Sequence, residues 1–232
     1  MTKIHFVLAV YKCKRFIFEW IYFLGTMKRN YDSIAWFYDR LSRLFFGNAL
    51  VNAQLFLLQA IPAGARILIV GGGTGWILEE ITKLHPSGLT ITYVDASEKM
   101  IALSRKRNMG NNRVTFIAAP IETASMDGPY DVALTPFFLD NFKEGSLQKI
   151  ATVIDKRLAP GGKWLYCDFQ DTDIFWQKAV LKIMYVFFRV SCGIEATHLP
   201  DAAGCFSRLQ YKMTVRKEFM KGFMAAEIYE RV

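Results

Sequence analysis

Residues 67–77, ILIVGGGTGWI, run four apolar side chains straight into Gly71, Gly72, Gly73, Thr74 and Gly75. Glycine lacks Cβ, so a turn built from it can take positive φ and bring backbone N–H groups and a following helix N-terminus close to a ligand. The apolar run suits a strand buried on both faces, and residues 77–81, ILEEI, can open a helix. Strand, glycine turn and helix in that order can cradle a cofactor. The spacing is GxGxG, and the third glycine of a dinucleotide turn would fall at Trp76. A second candidate is Asp95, which follows the run TITYV and lies 20 residues past Gly75. A carboxylate there can accept hydrogen bonds from both ribose hydroxyls of a nucleoside, while Ser97 is placed to cap the next helix. For proton transfer the candidates are Asp140, just beyond a later strand, with Tyr38 as its hydrogen-bonding partner. Asp140 equally suits a solvated loop or the cap of a turn.

These residues need a scaffold, and the hydrophobic pattern supplies one. From Met27 onward helical and strand patterns alternate, as in a wound parallel sheet. Helices are expected over 30–46, 48–60, 75–84, 97–108, 144–158 and 173–191. Strands are expected over 66–70, 90–94, 113–117, 130–135 and 163–169, with 211–220 and 223–230 forming a hairpin joined at Lys221 and Gly222. The fold class is therefore α/β: a doubly wound, mostly parallel, seven-stranded sheet ending in an antiparallel hairpin. Ligands of such sheets lie beyond the carboxyl ends of the strands, where Asp95, residues 116–122 and residues 134–141 fall.

The chain has 232 residues, 52% of them hydrophobic, enough for one domain with a substantial core. Its four cysteines form no CxxC pair and it has only three histidines, which argues against a zinc site and for reduced thiols in the cytoplasm. The net charge of +8 is spread in short clusters, such as Arg105, Lys106 and Arg107, that read as solvated faces; no nucleic-acid partner is expected. Residues 1–26 form an apolar and basic extension whose apolar runs fall short of the roughly 20 residues that span a bilayer. Two readings of it stay open: an appended helix that packs on the domain or on a membrane surface, or a start assigned upstream of Met27. Residues 27–232 form the domain proper.

GxGxG after a strand, an acid ending the next strand, and LAPGGKWL at 158–165 together resemble the class I S-adenosylmethionine-dependent methyltransferases, which have a Rossmann-like sheet. Residues 31–42, YDSIAWFYDRLS, are similar to the leading helix of the ubiquinone/menaquinone biosynthesis C-methyltransferase-like branch. The resemblance implies that Gly71, Gly73 and Gly75, with Gly72, run beneath the methionine and ribose of S-adenosyl-L-methionine. It implies that Asp95, with Ala96, holds the ribose and that Met100 covers the adenine. Thr135 and Phe137 would line the methionine side, the Thr135 carbonyl meeting its amino group, and Tyr31 and Tyr38 would close the pocket. The chain departs from the family where an acid often precedes the first glycine by two residues, here Ile69. It departs again at the end of the third strand, where Ala118 and Ala119 replace a GlyAsp whose carboxylate meets the adenine amine, so that Ala119 is expected at that cofactor-binding position.

Aromatic residues at or beyond strand ends, Phe137, Phe138, Phe142, Phe169, Phe175 and Trp176, suit a small apolar or aromatic acceptor, and they suit core packing as well. The helix over 173–191, with Lys and Arg among its apolar residues, fits a lid over the pocket or a peripheral membrane contact. Three functions compete: a small-molecule methyltransferase, a nucleic-acid or protein methyltransferase, and a catalytically silent binding protein on the same fold. The sequence leaves the acceptor atom and the oligomeric state open.

Overall fold

The computed structural model describes residues 46–232. The expected helix over 30–46, with Tyr31 and Tyr38, and the 1–26 extension lie outside these residues, apart from Phe46.

Strand β1, Arg66–Val70, sits at the centre of the parallel part of the sheet. Successive side chains of a strand point to opposite faces, so its unbroken apolar run must be covered on both. Leu68 and Val70 enter one core cluster, and Ile67 and Ile69 the other. Parallel neighbours flank it: β2, Ser87–Asp95, pairs Val94 with Val70, and β4, Tyr130–Pro136, pairs Leu134 with Ile69. Outside β2 lies β3, Asn111–Ala118, and outside β4 lies β5, Leu158–Phe169. The sheet closes with β6, Tyr211–Phe219, and β7, Met224–Arg231, in the order β3-β2-β1-β4-β5-β7-β6. The hairpin inserts its second strand: β7 pairs antiparallel with β5, and β6 takes the edge. Strand order reverses between β1 and β4, and a crevice opens at that switch point.

Helices α1, Ala49–Leu58, α2, Trp76–Leu84, and α3, Glu98–Ser104, cover one face, through Leu57, Ile77, Leu78, Ile81 and Ile101 among others. Helix α4, Glu144–Asp155, covers the other face with Leu147, Ile150, Ala151 and Ile154, spaced i, i+3, i+4, i+7. The Ser97 hydroxyl accepts from the Met100 N–H at 3.1 Å, as the capping pattern requires. The helix it opens ends four residues before the expected 108, because the chain turns there to bring Arg107 back to Thr74. Within β5, Gly161 at φ +74° accommodates a register shift between the Tyr130–Leu158 and Val132–Lys163 pairs, and pairing is regular from Lys163 on. Helix α5, Phe175–Ser191, packs Trp176, Val180, Leu181 and Met184 against Phe169, Phe223 and Met224. No helix among the described residues is long and apolar enough to cross a membrane.

Helix α6, Ala202–Arg208, is absent from the sequence reading. Gly204 interrupts its propensity, yet that N–H donates to the capping Asp201 carboxylate at 2.8 Å. Its Phe206 is buried, stacked on Tyr229 with centroids 3.9 Å apart and set edge-on to Trp164 at 5.0 Å. Large-to-small changes at such sites remove transfer free energy and leave a cavity. Phe206→Ala is therefore expected to cost about 3–5 kcal/mol in urea unfolding. A loss below about 1 kcal/mol would mean that α6 does not seal this layer.

Candidate functional site

The loop from β1 to α2 uses its glycines for different physical reasons. Gly71, Gly73 and Gly75 have φ of +68°, +63° and +78°, the left-handed region that glycine enters without a Cβ penalty. A Cβ on Gly71 would meet the Phe138 ring, with Cγ at 2.9 Å, and one on Gly72 would meet Tyr93, with Cζ at 2.5 Å. A Cβ on Gly75 would lie 2.5 Å from that of Ser104, so this glycine serves the contact between α2 and α3 and stands off the cavity wall. Only at Gly73 would a Cβ enter open space, on the side where the loop faces the cavity.

The loop is fastened from beneath. Tyr93 on β2 donates its hydroxyl to the Gly73 carbonyl at 3.0 Å, and Arg107 Nε donates to the Thr74 carbonyl at 3.0 Å. Asp95 accepts from the Gly73 N–H at 3.0 Å on one carboxylate oxygen and from the Ser97 N–H at 2.9 Å on the other. Each carboxylate oxygen has two acceptor sites, so the backbone can orient the group while leaving capacity for a diol.

The cavity at the switch point measures about 340 Å³. Residues 71–74 with Asp95, Ala96 and Met100 form one wall, as the resemblance implies for Gly71, Gly72, Gly73, Asp95, Ala96 and Met100. Leu50, Val51 and Gln54 of α1 form another, and Phe138, Asn141, Phe142 and residues 192–195 complete it. Sequence reasoning looks for acceptor choice in residues 31–60 and 170–206, which contain the α1 residues and residues 192–195, but singles out none of them, since they carry no motif and meet the glycine loop only through the fold. Trp76 and Ile77 at the start of α2 also reach the wall.

Two expected contacts fall elsewhere. Thr135 is buried behind the wall, its hydroxyl accepting from Trp164 Nε1 at 2.9 Å, and the wall is made by the next residues, Pro136 and Phe137. Phe137 has φ +50°, a strained value for a bulky residue, held by its N–H donating to the Cys167 carbonyl at 2.8 Å. Ala119 lies past the end of β3, where its N–H donates to the Asp95 carbonyl at 3.1 Å, so it steadies Asp95 through the backbone without reaching the wall.

Asp140 belongs to a short 3-10 turn, Leu139–Asn141, and its carboxyl pairs with that of Asp168 on β5. The Asp140 N–H also donates to Asp168 at 3.1 Å, and Asn141 Nδ2 donates to Asp140 at 2.9 Å. Burial pushes the Asp140 pKa up to about 7, against the opposing effect of its hydrogen bond with Asp168, while burial and the charge of Asp140 push Asp168 well above the usual carboxylate range. Tyr185 of α5 donates to the Asp140 carbonyl at 3.4 Å. Asp140 thus stands behind the cavity, and its neighbour Asn141 is on the wall. Among the described residues no group of His, Cys, Asp and Glu side chains could hold a metal ion.

Comparison with known proteins fits this geometry. The family described as a methyltransferase domain matches residues 67–162. The ubiquinone/menaquinone biosynthesis C-methyltransferase UbiE of Geobacter sp. strain M21 is 29% identical over 188 residues, which cover 78% of this chain and 75% of that protein. The demethylmenaquinone methyltransferase of Clavibacter sepedonicus is 30% identical over 151 residues, 62% of this chain and 58% of that protein. Among solved structures, the N-methyltransferase NodS of Bradyrhizobium japonicum in complex with S-adenosylhomocysteine superposes with a TM-score of 0.60 at 15% identity, covering 80% of this chain and 87% of NodS. The mitomycin 7-O-methyltransferase MmcR superposes with a TM-score of 0.63 at 16% identity, covering 83% of this chain and 56% of MmcR. These likenesses support a class I S-adenosylmethionine-dependent methyltransferase.

Asp95→Ala is expected to weaken binding of S-adenosylhomocysteine at least roughly tenfold by calorimetry, through lost charge-assisted hydrogen bonds. Unchanged affinity would remove Asp95 from the cofactor site. The carboxyl pair gives a pH signature. A raised folded pKa means that the folded protein holds the proton more tightly, so the cost of the pair is absent near pH 4 and grows as pH rises to about 7. Asp140→Asn is therefore expected to raise Tm at pH 8 and to change it little at pH 4. An equal shift at both would mean that burial does not raise the Asp140 pKa in the folded protein.

Proposed function

We propose that this chain transfers the methyl group of S-adenosylmethionine to a small, apolar or aromatic acceptor. The observation that carries the reading is the bare backbone of Gly73 facing a cavity whose rim holds the doubly anchored Asp95. Bound S-adenosylmethionine would supply an electrophilic methyl on a sulfonium. Gly71, Gly72 and Gly73 would run beneath it, Asp95 would hold its ribose and Met100 would cover its adenine. Methyl transfer is an in-line displacement, so the protein's part is to align donor and acceptor and to exclude water. Leu50, Val51, Phe138, Phe142 and Ile194 supply apolar walls for that purpose.

The acceptor class rests on these walls and on the relatives. The Geobacter and Clavibacter proteins are described as quinone methyltransferases, whereas another relative, from Bacillus cereus, is described as a malonyl-[acyl-carrier protein] O-methyltransferase and is 32% identical over 40% of its length. The chain thus spans between 40% and 75% of these three relatives. For an acceptor that must lose a proton, Asp140 has the matching proton affinity, and it is linked to the wall through Asn141. Tyr31 and Tyr38, from the segment preceding α1, are the residues this reading assigns to closing the pocket.

The test is methyl transfer from labelled S-adenosylmethionine to a panel of hydroxylated benzoquinols and naphthoquinols, with bulk RNA and protein as competing acceptors, beside calorimetry with S-adenosylhomocysteine. Saturable labelling of a quinol is the expected outcome. Labelling of RNA or protein alone would overturn the acceptor class. Absence of any binding heat at millimolar S-adenosylhomocysteine would favour a silent relative, a reading that the wholly apolar burial of Ile69 also suits.

A further inference from the structure

Helix α5 is two-faced in an unusual sense: both faces are apolar, but only one is covered. Its inner side packs on the aromatic cluster around Phe169 and Phe223. On its outer side Phe175, Ile183, Val186 and Val190 are exposed by 85%, 40%, 56% and 39%. Lys178, Lys182 and Arg189 are exposed between them. At 100° per residue these seven positions fall within an arc of about 140°, a continuous stripe along the helix. No acidic residue occurs anywhere in the 17 residues of α5. Asp173, just before the helix, pairs with Lys178 at 3.3 Å, so the unbalanced charge of the stripe lies at Lys182 and Arg189.

We infer that this outer face of α5 docks on an anionic lipid bilayer, with Phe175, Ile183, Val186 and Val190 entering the headgroup region and Lys182 and Arg189 meeting lipid phosphates. Charge selects this occupant. A helical stripe of exposed apolar groups whose own charged residues are all cations is the pattern that gains from apolar burial and from attraction to anionic lipid together. The chain's own residues 1–26 carry four cations and one anion, so covering the stripe with them would bring like charges together. The position of the helix gives docking a consequence. Its C-terminus leads directly into Cys192 and residues 193–195 on the cavity wall, so a bilayer on α5 lies against the element that bounds the acceptor side of the cavity. An apolar acceptor could then pass from lipid to cavity with little exposure to water. That consequence rests on the proposed acceptor class, whereas the docking itself does not.

The experiment is co-sedimentation of the full chain with vesicles of phosphatidylcholine alone and of phosphatidylcholine with one quarter phosphatidylglycerol. Binding to the anionic vesicles that weakens at 0.5 M salt is expected. The Lys182→Glu/Arg189→Glu variant is expected to bind them at least about tenfold more weakly, since each basic side chain near the surface adds to the attraction. An Ile183→Ser/Val186→Ser variant is expected to lose binding while keeping the salt dependence of what remains. Both variants should keep the wild-type affinity for S-adenosylhomocysteine, which shows that they fold and separates this outcome from failure of the methyltransferase reading. If the charge-reversed chain binds as the wild type does, or the wild type ignores anionic vesicles, the inference is overturned. Self-association that the same substitutions abolish, without lipid binding, would overturn it in favour of a second copy.

Discussion

The hydrogen bond from the Gly73 N–H to the Asp95 carboxylate, 3.0 Å long, joins the ends of two adjacent parallel strands. It can form only because several other requirements are met together. The register of β1 on β2 brings Val70 opposite Val94, which places the loop leaving one strand beside the acid ending the other. Gly73 must hold φ +63° to aim its N–H at that acid, and Gly72 must lack a side chain so that Tyr93 can sit beneath and bond the Gly73 carbonyl. The result is a residue held at both its N–H and its C=O, and so in the two peptide units on either side of it, while it lines the cavity. Such a site is organised before any ligand arrives, so little conformational freedom is lost on binding.

The same constraint explains why the centre of the sheet is so apolar. A loop fastened by hydrogen bonds at Gly73 and Thr74 requires strands that do not shift, and β1 is locked by cores on both faces. Ile69 belongs to that locking. Its side chain is wholly buried in the cluster beneath α1 and α2, where an unpaired carboxylate would be costly. The chain has therefore given core packing a position that could have carried a polar contact to the cofactor.

What could be read from residue types depended on whether a backbone demand left a trace in composition. Positive φ at Gly71, Gly73 and Gly75 left such a trace, as did the apolar run of β1 and the Ser97 cap, so the glycine turn, the sheet and the place of Asp95 at the end of β2 were legible. Phe137 also takes positive φ, but with a bulky side chain, and nothing in its type announces it. The resemblance places Thr135 on the wall, through its carbonyl, yet Pro136 and Phe137 make the wall and Thr135 is buried with its hydroxyl bonded to Trp164. Leu50, Val51, Gln54 and residues 192–195 are ordinary apolar and polar residues, brought to the cavity from distant parts of the chain by tertiary packing alone. Helix α6 escaped because Gly204 lowers its propensity, while Phe206 stabilises it from outside the local sequence.

The most direct test of the preorganised cradle is a crystal structure of the full chain with S-adenosylhomocysteine bound. The account expects both ribose hydroxyls within about 2.5–3.0 Å of the Asp95 carboxylate oxygens, with the bonds from the Gly73 and Ser97 N–H groups to that carboxylate still in place. Ribose bound elsewhere, or an Asp95 side chain that has turned away from Gly73 to receive it, would contradict the account.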